Sequence, residues 1–510
     1  MSRLKHGVSL AALVLPFSLL ASPAPASYGI FVGNELTEDG STLLGGSGDE
    51  VSGHWVEIVP REQHAPDATI KVGVTEDAAI PGELTEIPQV EETAKFIGSF
   101  YSEYEGFPPP LTNGGLNEHH VAGRDIWSPS RDELVEMTET PQTGPQYSDL
   151  ARIAMERATT AREAVEIVGE LIDEHGYSTY GGNSHFFADA EEGWVMKQMA
   201  GGQGLWVAER VASDEVRLSY PGYILEIPDD YQDDPDYMGS DNLIDFAVEQ
   251  GWYDPETDGP FNVNQVYGNQ QGRDEPLFRV GDRTIADFED KLKEMAPISV
   301  EDMRALVRDP IISGDSTGYG QVAHLRADVP RELGVLWVAN TSSVTAPFVP
   351  YYIGTENVPA EFGWHRYLHK DADEVFLTED FQIQEATEFA TRTFKRLLYY
   401  TCDRPEQFLD EVQTTLAAFE NDAQDRMTDV EDIARLLLDA GEDRLVAEHL
   451  TSFSHTRAYA ALELGNDLLR SIEARTRYQH GLRRPEGDNW GELDYTMIQC
   501  YTPDGPSLFN

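Results

Sequence analysis

The fold of this chain is decided by the stretch SYGIFVG at residues 27–33 and the stretch STLLG at residues 41–45. The first stretch is apolar and rich in β-branched and aromatic residues, a pattern typical of a buried strand. Asp39-Gly40, between the two stretches, is a tight-turn signal. The segment therefore predicts a β-hairpin that begins at Ser27, in which Ser27 lies opposite about residue 47 and Asp49 falls just past the second strand.

The residues before Ser27 have the pattern of a secretory signal peptide. They begin with positive charges at Arg3 and Lys5, continue with an apolar run over residues 8–20, and end with the small-x-small sequence Ala24-Pro25-Ala26. This pattern predicts a signal peptide over residues 1–26 that is cleaved between Ala26 and Ser27. The product is then exported, to the periplasm or the cell exterior, and its first residue is Ser27.

A serine at a new N-terminus carries a nucleophile and a candidate base on one residue. An α-amino group titrates at about pH 8, so that part of it can accept a proton at neutral pH. A hydroxyl is a poor nucleophile until such a base lies beside it. Many exported proteins begin with a small residue, so the cleavage site alone does not distinguish a catalytic Ser27 from an ordinary N-terminus.

The composition of the chain is strongly acidic. Asp and Glu number 91 against 37 Lys and Arg, the formal net charge is −54, and eight residues are lysine. This balance excludes a nucleic-acid partner, because phosphate binding needs a basic surface. No apolar run after residue 26 reaches the length of about 18 residues that a membrane span needs. An acidic, lysine-poor surface favours a protein that works in high salt, where self-repulsion is screened.

The order of the predicted elements indicates an α+β fold. Strands are predicted through the first hundred residues, followed by an amphipathic helix over residues 147–174 and then by further strands. We expect a catalytic domain at residues 27–380 and a helical region at residues 381–510 that packs on it. Helices of this C-terminal region are predicted at residues 383–400, 406–423, 429–440 and 460–478.

Two segments are predicted to lie outside regular structure. The sequence NGGLNE at residues 113–118 is Gly-rich and polar, which predicts a loop able to bring amide groups to a ligand. Residues 228–260 are acidic and rich in Pro, Tyr and Gly, which predicts a surface insertion with a short helix at residues 243–250. A calcium site among residues 229–236 is the weaker interpretation, because the segment lacks a Gly-centred twelve-residue loop and a solvated acidic loop explains it.

The histidines and cysteines carry little catalytic signal. His119 and His120 lie beside Glu118 but not in an HExxH frame, so we expect no zinc site. Cys402 and Cys500 are the only cysteines. An exported chain can pair them, and the sequence leaves that pairing open.

Several further segments, taken in order, carry a family resemblance. After the opening strand and the DGST turn at residues 39–42 come Asp49, IPQV at residues 87–90 and GLNEH at residues 115–119. They are followed by a helix that leads into GGNS, over residues 158–184, and by three late segments at residues 334–337, 350–351 and 358–359. This ordered set resembles the bacterial dipeptidase family of N-terminal-nucleophile (Ntn) hydrolases, whose relatives include penicillin V acylases and bile-salt hydrolases. The resemblance covers most of the chain after residue 26.

The resemblance implies an Ntn-hydrolase fold, a four-layer αββα sandwich with a helical C-terminal extension. It also implies a site in which Ser27 is the nucleophile and Asp49 orients its α-amino group. Asn117 and Asn183 are then the candidates that donate amide hydrogen bonds to the developing oxyanion. No cofactor and no metal are implied.

Two positions depart from the pattern of the family. The family usually has Cys where this chain has Ser27, although other Ntn branches use Ser or Thr, and a hydroxyl is harder to ionise than a thiol. Some relatives carry Arg three residues before the matched Asp, and the corresponding residue here is Gly46. Arg273 and Arg279 lie in a stretch where relatives often place an arginine near the substrate, so they are the candidate substrate-binding residues.

The resulting prediction is an exported dipeptidase that hydrolyses a peptide bond through an acyl-enzyme on Ser27. Its substrates are dipeptides or short peptides with a free amino end. An N-acyl amide hydrolase of the penicillin or bile-salt acylase type would use the same chemistry on another substrate. An inactive binding protein would keep the fold and would have lost activity when Cys became Ser. A homo-oligomer is compatible with each of these functions.

Overall fold

A computed structural model describes residues 27–49, 54–102, 104–220, 223–270, 273, 279–280, 283–365, 386–481, 500–501 and 507–508, with the backbone alone for residues 279–280. The predicted signal peptide over residues 1–26 lies outside the described residues. The start of the helix predicted at residues 383–400 lies outside them as well.

The strands of the described residues alternate with turns through the first three quarters of the chain. In chain order they are β1 (Tyr28–Val32), β2 (Thr42–Asp49), β3 (His54–Val59), β4 (Glu62–Gln63), β5 (Thr69–Val72), β6 (Thr85–Pro88), β7 (Glu92–Thr93), β8 (Phe96–Tyr101), β9 (Leu111–Asn117), β10 (Ala122–Ile126), β11 (Asn183–Ala188), β12 (Gly193–Gln198), β13 (Trp206–Val211), β14 (Val216–Ser219), β15 (Glu226–Ile227), β16 (Tyr237–Gly239), β17 (Phe261–Asn262), β18 (Arg279–Val280), β19 (Arg283–Thr284), β20 (Thr317–Leu325), β21 (Val335–Ala339) and β22 (Val349–Tyr352).

Two large antiparallel sheets contain most of these strands. The six-stranded sheet has the order β14–β1–β2–β20–β21–β22, and the eight-stranded sheet has the order β16–β13–β12–β11–β10–β9–β8–β3. β1 and β2 form the predicted hairpin inside the six-stranded sheet, with Tyr28 opposite Ser47 and Val32 opposite Leu43. Every residue of β1 is buried, as expected for an apolar strand that is covered on both faces.

The helices of the described residues are concentrated in the middle and at the C-terminal end of the chain. They are α1 (Asp132–Val135), α2 (Tyr147–Arg157), α3 (Ala161–His175), α4 (Leu243–Glu249), α5 (Val263–Tyr267), α6 (Ile285–Met295), α7 (Val300–Val307), α8 (Ala390–Cys402), α9 (Pro405–Asp439) and α10 (Asp443–His480). The helix predicted over residues 147–174 is divided into α2 and α3. The division occurs because the Thr160 side chain caps α3, where it accepts a hydrogen bond from the backbone N–H of Glu163.

The two large sheets face each other, and helices cover their outer faces. β1 and β2 contact β10, and β20 and β21 contact β9. α2 and α3 pack on β9 to β12 of the eight-stranded sheet, whereas α6 and α7 pack on β14, β2 and β20 of the six-stranded sheet. The protein is thus a mixed α and β structure with a helical C-terminal region, in agreement with the predicted α+β class.

The C-terminal helices pack against the six-stranded sheet through buried ion pairs. α10 contacts β22, and α9 contacts α7. Glu420 of α9 accepts two hydrogen bonds from the Arg308 guanidinium and a third, of 2.8 Å, from the backbone N–H of Phe348. About three turns further along α9, Glu431 pairs with Arg326 through two contacts of 2.9 Å. These contacts attach one face of α9 to the sheet region.

Cys402 and Cys500 form a disulfide, which resolves the pairing that the sequence left open. Cys402 ends α8, so the bond attaches the segment that follows α10 to α8. The two cysteines are buried in a small cluster with Val344, Leu398 and Leu409.

The prediction of a loop at residues 113–118 is wrong. These residues lie in and directly after β9, whose residues are all buried. The glycines that suggested a loop permit close packing inside the sheet, because a Cβ on Gly115 would lie 1.8 Å from the Ile97 carbonyl oxygen. Glycine in a strand often marks such a close backbone approach.

Two further predictions are corrected by the structure. Residues 228–260 contain the predicted short helix, α4, but they also supply β16 to the eight-stranded sheet, and Leu243 and Ala247 are fully buried in the main core. The segment is therefore a part of the fold rather than a surface insertion. The helices predicted at residues 406–423 and 429–440 are one helix, α9, because the polar residues between them include neither Gly nor Pro.

Candidate active site

Ser27 directly precedes β1 and is buried, with 5% of its surface exposed. Because Tyr28 pairs with Ser47, the residue opposite Ser27 is Gly48, one position beyond the predicted one. Ser27 and Gly29 lie on the same face of the strand. That face is directed at the eight-stranded sheet, since side-chain atoms of Ile126 and Phe186 lie 3.1 and 3.3 Å from where a Cβ on Gly29 would stand.

Asp49 is brought to Ser27 by an irregularity at the end of β2. The pairing of β2 with β20 is regular as far as Gly48 and Tyr319, and then shifts so that Asp49 pairs with Thr317. Such a bulge redirects side chains locally. The Asp49 backbone N–H donates a 3.0 Å hydrogen bond to the Ser27 hydroxyl oxygen, and the Thr317 hydroxyl donates a 3.0 Å bond to Asp49 Oδ1. The structure therefore brings Ser27 and Asp49 together and adds Thr317 to them.

These contacts suit the activation of a hydroxyl. An N–H directed at the Ser27 oxygen stabilises the negative charge that grows there as the proton leaves. The Asp49 carboxylate has one oxygen held by Thr317, which fixes its orientation beside the start of β1. A fixed carboxylate at this place is able to hold an ammonium or amine group on Ser27.

Tyr28 anchors the start of β1 on the opposite face of the sheet. Its hydroxyl donates a 2.7 Å hydrogen bond to the Val307 carbonyl at the end of α7. Burial raises the pKa of the Tyr28 phenol well above its usual value, so the group remains a neutral hydrogen-bond donor. This anchor lies one residue from Ser27 and limits the movement of the strand end.

A buried arginine from the facing sheet lies against the hairpin. Arg124 of β10 has no exposed surface, and its Cζ lies 3.1 Å from where a Cβ on Gly46 would stand. Gly46 has a φ of +144°, and the same Cβ would lie 2.1 Å from the Tyr28 carbonyl oxygen, so the position needs glycine. No arginine side chain can start from position 46, and the guanidinium that lies there comes from β10.

Arg124 has one hydrogen-bond partner among the described residues. Its Nη2 donates a 3.2 Å bond to the Tyr319 hydroxyl, and its Cζ lies 5.5 Å from the Tyr319 ring centroid. Nε and Nη1 are buried and meet no partner in the described part of the chain. The sequence pattern did not indicate Arg124, because the fold alone brings β10 against the hairpin. The available signal was a charged pair, Arg124-Asp125, inside a short and otherwise apolar stretch.

Aromatic contacts hold the one partner of Arg124 in place. The His54 ring lies between two tyrosines, with centroid distances of 4.9 Å to Tyr101 and 5.2 Å to Tyr319. All three residues are buried. Tyr319 therefore has a fixed position, and it orients the guanidinium that bonds to it.

Asn117, expected to donate to an oxyanion, has its amide in use elsewhere. Its Nδ2 donates to the carbonyls of Met155 and Ala158, at 3.2 and 2.7 Å. Its Oδ1 accepts from the backbone N–H groups of His119 and Val121, both at 3.0 Å. These bonds join the β9–β10 turn to the end of α2, so the contacts of Asn117 support a structural role and not the expected one.

Asn183, the second expected donor, begins β11 and is fully buried. Neither of its amide atoms bonds to a described residue. Alternation along β11 places its side chain on the face of His185, which is directed at α2, rather than on the face of Phe186, which is directed at β1. Asn183 thus keeps its amide groups available, but no hydrogen bond joins it to Ser27.

The two expected substrate-binding arginines are not placed beside Ser27 by any described contact. Arg273 Nη2 donates a 3.1 Å bond to Gln270 Oε1, and its Nη1 lies 3.5 Å from Glu133 Oε1. Arg279 lies in β18, and its side chain is outside the described atoms. Sequence position alone did not indicate which arginine faces the hairpin.

Metal-binding clusters and membrane-spanning helices are both absent from the described residues. No group of three or more His, Cys, Asp or Glu side chains is arranged in a way that could hold a metal ion. Within the same described ranges, no helix combines the length and the apolar character that crossing a membrane would take.

Comparison with known proteins gives a family match and several similar dipeptidases. Residues 26–279 match the model of peptidase family C69. The chain is 25% identical over 260 residues to a dipeptidase of Bifidobacterium longum, with 48% of this chain and 47% of that protein covered. It is 22% identical over 402 residues to a probable dipeptidase B of Streptococcus pyogenes, with 68% and 76% covered.

The matches to curated relatives and to solved structures are partial. The chain spans about half the length of the first two curated relatives, 47% of the Bifidobacterium longum dipeptidase and 53% of a probable dipeptidase B of Lactococcus lactis. Among solved structures, a mutant of a conjugated bile acid hydrolase from Clostridium perfringens gives a TM-score of 0.31 at 12% identity, over 64% of this chain and 92% of that one. Residues 26–279 are thus similar to peptidase family C69, and the curated relatives are named as dipeptidases or probable dipeptidases.

Proposed function

We propose that this chain is an exported peptidase that hydrolyses dipeptides or other short peptides through an acyl-enzyme on Ser27. The observation that carries the proposal is the contact between Ser27 and Asp49 at the start of a buried central strand. The match to a peptidase family and the dipeptidase names of the relatives support a peptidase role. The order of helices, sheet, sheet and helices supports the four-layer Ntn-hydrolase assignment.

The first chemical step is the attack of the Ser27 oxygen on the scissile carbonyl carbon. Removal of residues 1–26 frees the α-amino group of Ser27, which accepts the hydroxyl proton as the new C–O bond forms. The Asp49 N–H stabilises the charge that develops on the attacking oxygen. The Asp49 carboxylate then faces an ammonium group, and it stabilises that charge.

The second step releases the amine and forms an ester on Ser27. The C–N bond breaks, and the proton held by the α-amino group passes to the leaving nitrogen. Water then attacks the ester with the same amino group as its base, which releases the acid and restores the Ser27 hydroxyl. The predicted donor Asn183 has a buried, available amide, but its side chain lies on the face of β11 that is directed at α2, so we assign no side chain to the carbonyl oxygen.

Export is a separate part of the proposal. It is supported by the signal-peptide pattern of residues 1–26 and by the disulfide between Cys402 and Cys500. Disulfides persist mainly in oxidising compartments such as the periplasm or the cell exterior.

The decisive experiment combines intact mass with a hydrolysis assay. The protein is expressed with its leader, purified from the exported fraction and assayed in high salt on a dipeptide panel beside penicillin V. We expect Ser27 as the first residue and hydrolysis of dipeptides that is lost in Ser27→Ala and kept in Ser213→Ala, which alters a serine on the β13–β14 turn. Cleavage of penicillin V alone would favour an acyl-amide hydrolase. Dipeptide cleavage that persists in Ser27→Ala would overturn the mechanism.

A further inference from the structure

We propose that the Arg124 guanidinium binds the α-carboxylate of the amino acid that leaves in the hydrolysis. This inference rests on the proposed function and names the substrate class of the same site, namely dipeptides with a free C-terminus. It assigns a substrate-binding role to a residue of β10 that none of the sequence motifs contains.

The first observation is a buried cation without a described counter-ion. Arg124 has no exposed surface, and no ion pair joins it to a carboxylate in the described part of the chain. Burial of an unpaired charge is costly, so buried arginines are normally paired and fully hydrogen-bonded. Here Nε and Nη1 meet no partner among the residues that the structure describes. An anion that arrives with the substrate would satisfy both groups.

The second observation is the position of Arg124 relative to Ser27. The Arg124 Cδ lies 3.5 Å from where a Cβ on Gly29 would stand. Gly29 follows Ser27 by two residues on the same strand face, a separation of about 7 Å. In a dipeptide, only the amide nitrogen and one α-carbon separate the scissile carbonyl from the carboxylate. A dipeptide held at Ser27 therefore has its carboxylate carbon within about 4 Å of the scissile carbonyl carbon, beside the same strand face that the Arg124 side chain contacts.

The third observation is that the guanidinium is held in a fixed orientation. Its Nη2 bonds to Tyr319, whose ring packs against His54. An arginine held in this way presents its remaining N–H groups as a planar fork, which matches the two oxygens of a carboxylate. A C-terminal amide lacks the charge, and a longer peptide has no carboxylate at this position. We therefore expect both to be poorer substrates.

The wild-type enzyme provides the first test. We would measure kcat/KM for a dipeptide and for the same dipeptide with a C-terminal amide, which share one scissile bond. The expected preference for the free carboxylate is about 10- to 100-fold, the range for a charge-assisted hydrogen bond. Equal values would overturn this inference and leave the proposed function standing. Hydrolysis of neither compound would overturn both.

Variants of Arg124 provide the second test. In Arg124→Gln the ratio of the two kcat/KM values should fall towards one, mainly through a higher KM for the dipeptide, and Arg124→Lys should retain part of the preference. Arg308→Gln removes a buried arginine on the opposite face of the six-stranded sheet and should keep the ratio. A loss of equal size on both substrates in Arg124→Gln would show a role other than carboxylate binding. If Arg124→Gln does not fold, the Lys variant and the wild-type comparison decide.

Discussion

Two buried arginines lie in very different surroundings in this protein. Arg308, at the end of α7, donates from Nε to the Ser343 carbonyl at 2.9 Å and from both Nη atoms to Glu420. Arg124, between the sheets, has one partner among the described residues and two nitrogens without any. Buried polar groups are normally satisfied, and exceptions concentrate at functional sites. The difference indicates that Arg308 stabilises the fold, whereas Arg124 is arranged to bind a ligand.

The largest effect is expected for the residue that carries the proposed chemistry, Ser27. Ser27→Ala removes the attacking oxygen, so kcat should fall by about 10,000-fold or more, while the melting temperature should change little because only a small buried hydroxyl is lost. Steady-state kinetics and thermal unfolding check both halves. If Ser27→Ala lost its activity only because the protein unfolds, Ser27 would be a stabilising residue like Arg308, and the contrast between the two would disappear.

The stabilising side of the comparison is tested by Arg308→Gln. This change leaves Glu420 buried with its main counter-charge gone, and the expected loss is about 3 kcal/mol in the free energy of unfolding. Denaturant titration measures the loss, and Arg426→Gln, on the exposed face of α9, serves as the control. An Arg308→Gln protein as stable as the wild type would show that the ion pair does not hold α9 to α7.

A third buried ionisable group, His185, should make the stability of the folded protein depend on pH. Burial lowers the pKa of His185 to about 4, and its ring bonds to Tyr147 and Gln198. In the unfolded chain a histidine titrates at about 6.5, so between these values the unfolded state binds the extra proton. Stability from this group is therefore complete above about pH 6.5 and falls, by up to about 3 kcal/mol, as the pH falls to about 4.

The test compares the pH dependence of unfolding in two variants. His185→Phe should reduce the fall in stability between pH 6.5 and pH 4, whereas His480→Gln, a change at the exposed histidine that ends α10, should leave it as in the wild type. An unchanged slope in His185→Phe would show that His185 accepts a proton in the folded protein.

The smallest effect is expected for a residue that positions another. Thr317→Val removes the hydroxyl that holds Asp49 Oδ1, and kcat should fall by about tenfold while KM for the dipeptide changes little. Because Asp49 then holds the amino group of Ser27 less well, the pH profile of kcat should shift, which a purely structural loss would not cause. Thr317→Ser should restore both values. An unshifted profile with a lower melting temperature would assign Thr317 to the fold alone.

The local parts of the site could be predicted from the sequence, and the parts that depend on distant segments could not. The hairpin and the nearness of Asp49 to Ser27 follow from strand and turn signals within about twenty residues. Arg124 reaches the same place because two sheets stack, and Thr317 reaches it because β20 pairs with β2; no local pattern contains either arrangement. Asn117 is a residue that the sequence suggested for the site and whose contacts support another role. An amide that bonds to backbone carbonyls looks the same in sequence as one that is available to a ligand.

The other two differences between prediction and structure concern segments that were predicted to lie at the surface but are buried. Glycines and polar residues at 113–118 suggested a loop, but glycine also serves where two backbones approach closely. The acidic residues at 228–260 suggested a solvated segment, although apolar residues spaced among them enter the core. In both segments tertiary packing outweighed the local preference.

The disulfide makes the helical region a covalently closed ring. It joins residues that are 98 positions apart, and α9, α10 and the turn at Gly441 all lie between them. A protease that cuts the chain at this turn would therefore leave one molecule of unchanged mass in a non-reducing gel, and two fragments would separate only after a thiol is added. Such a ring would keep a nicked molecule assembled.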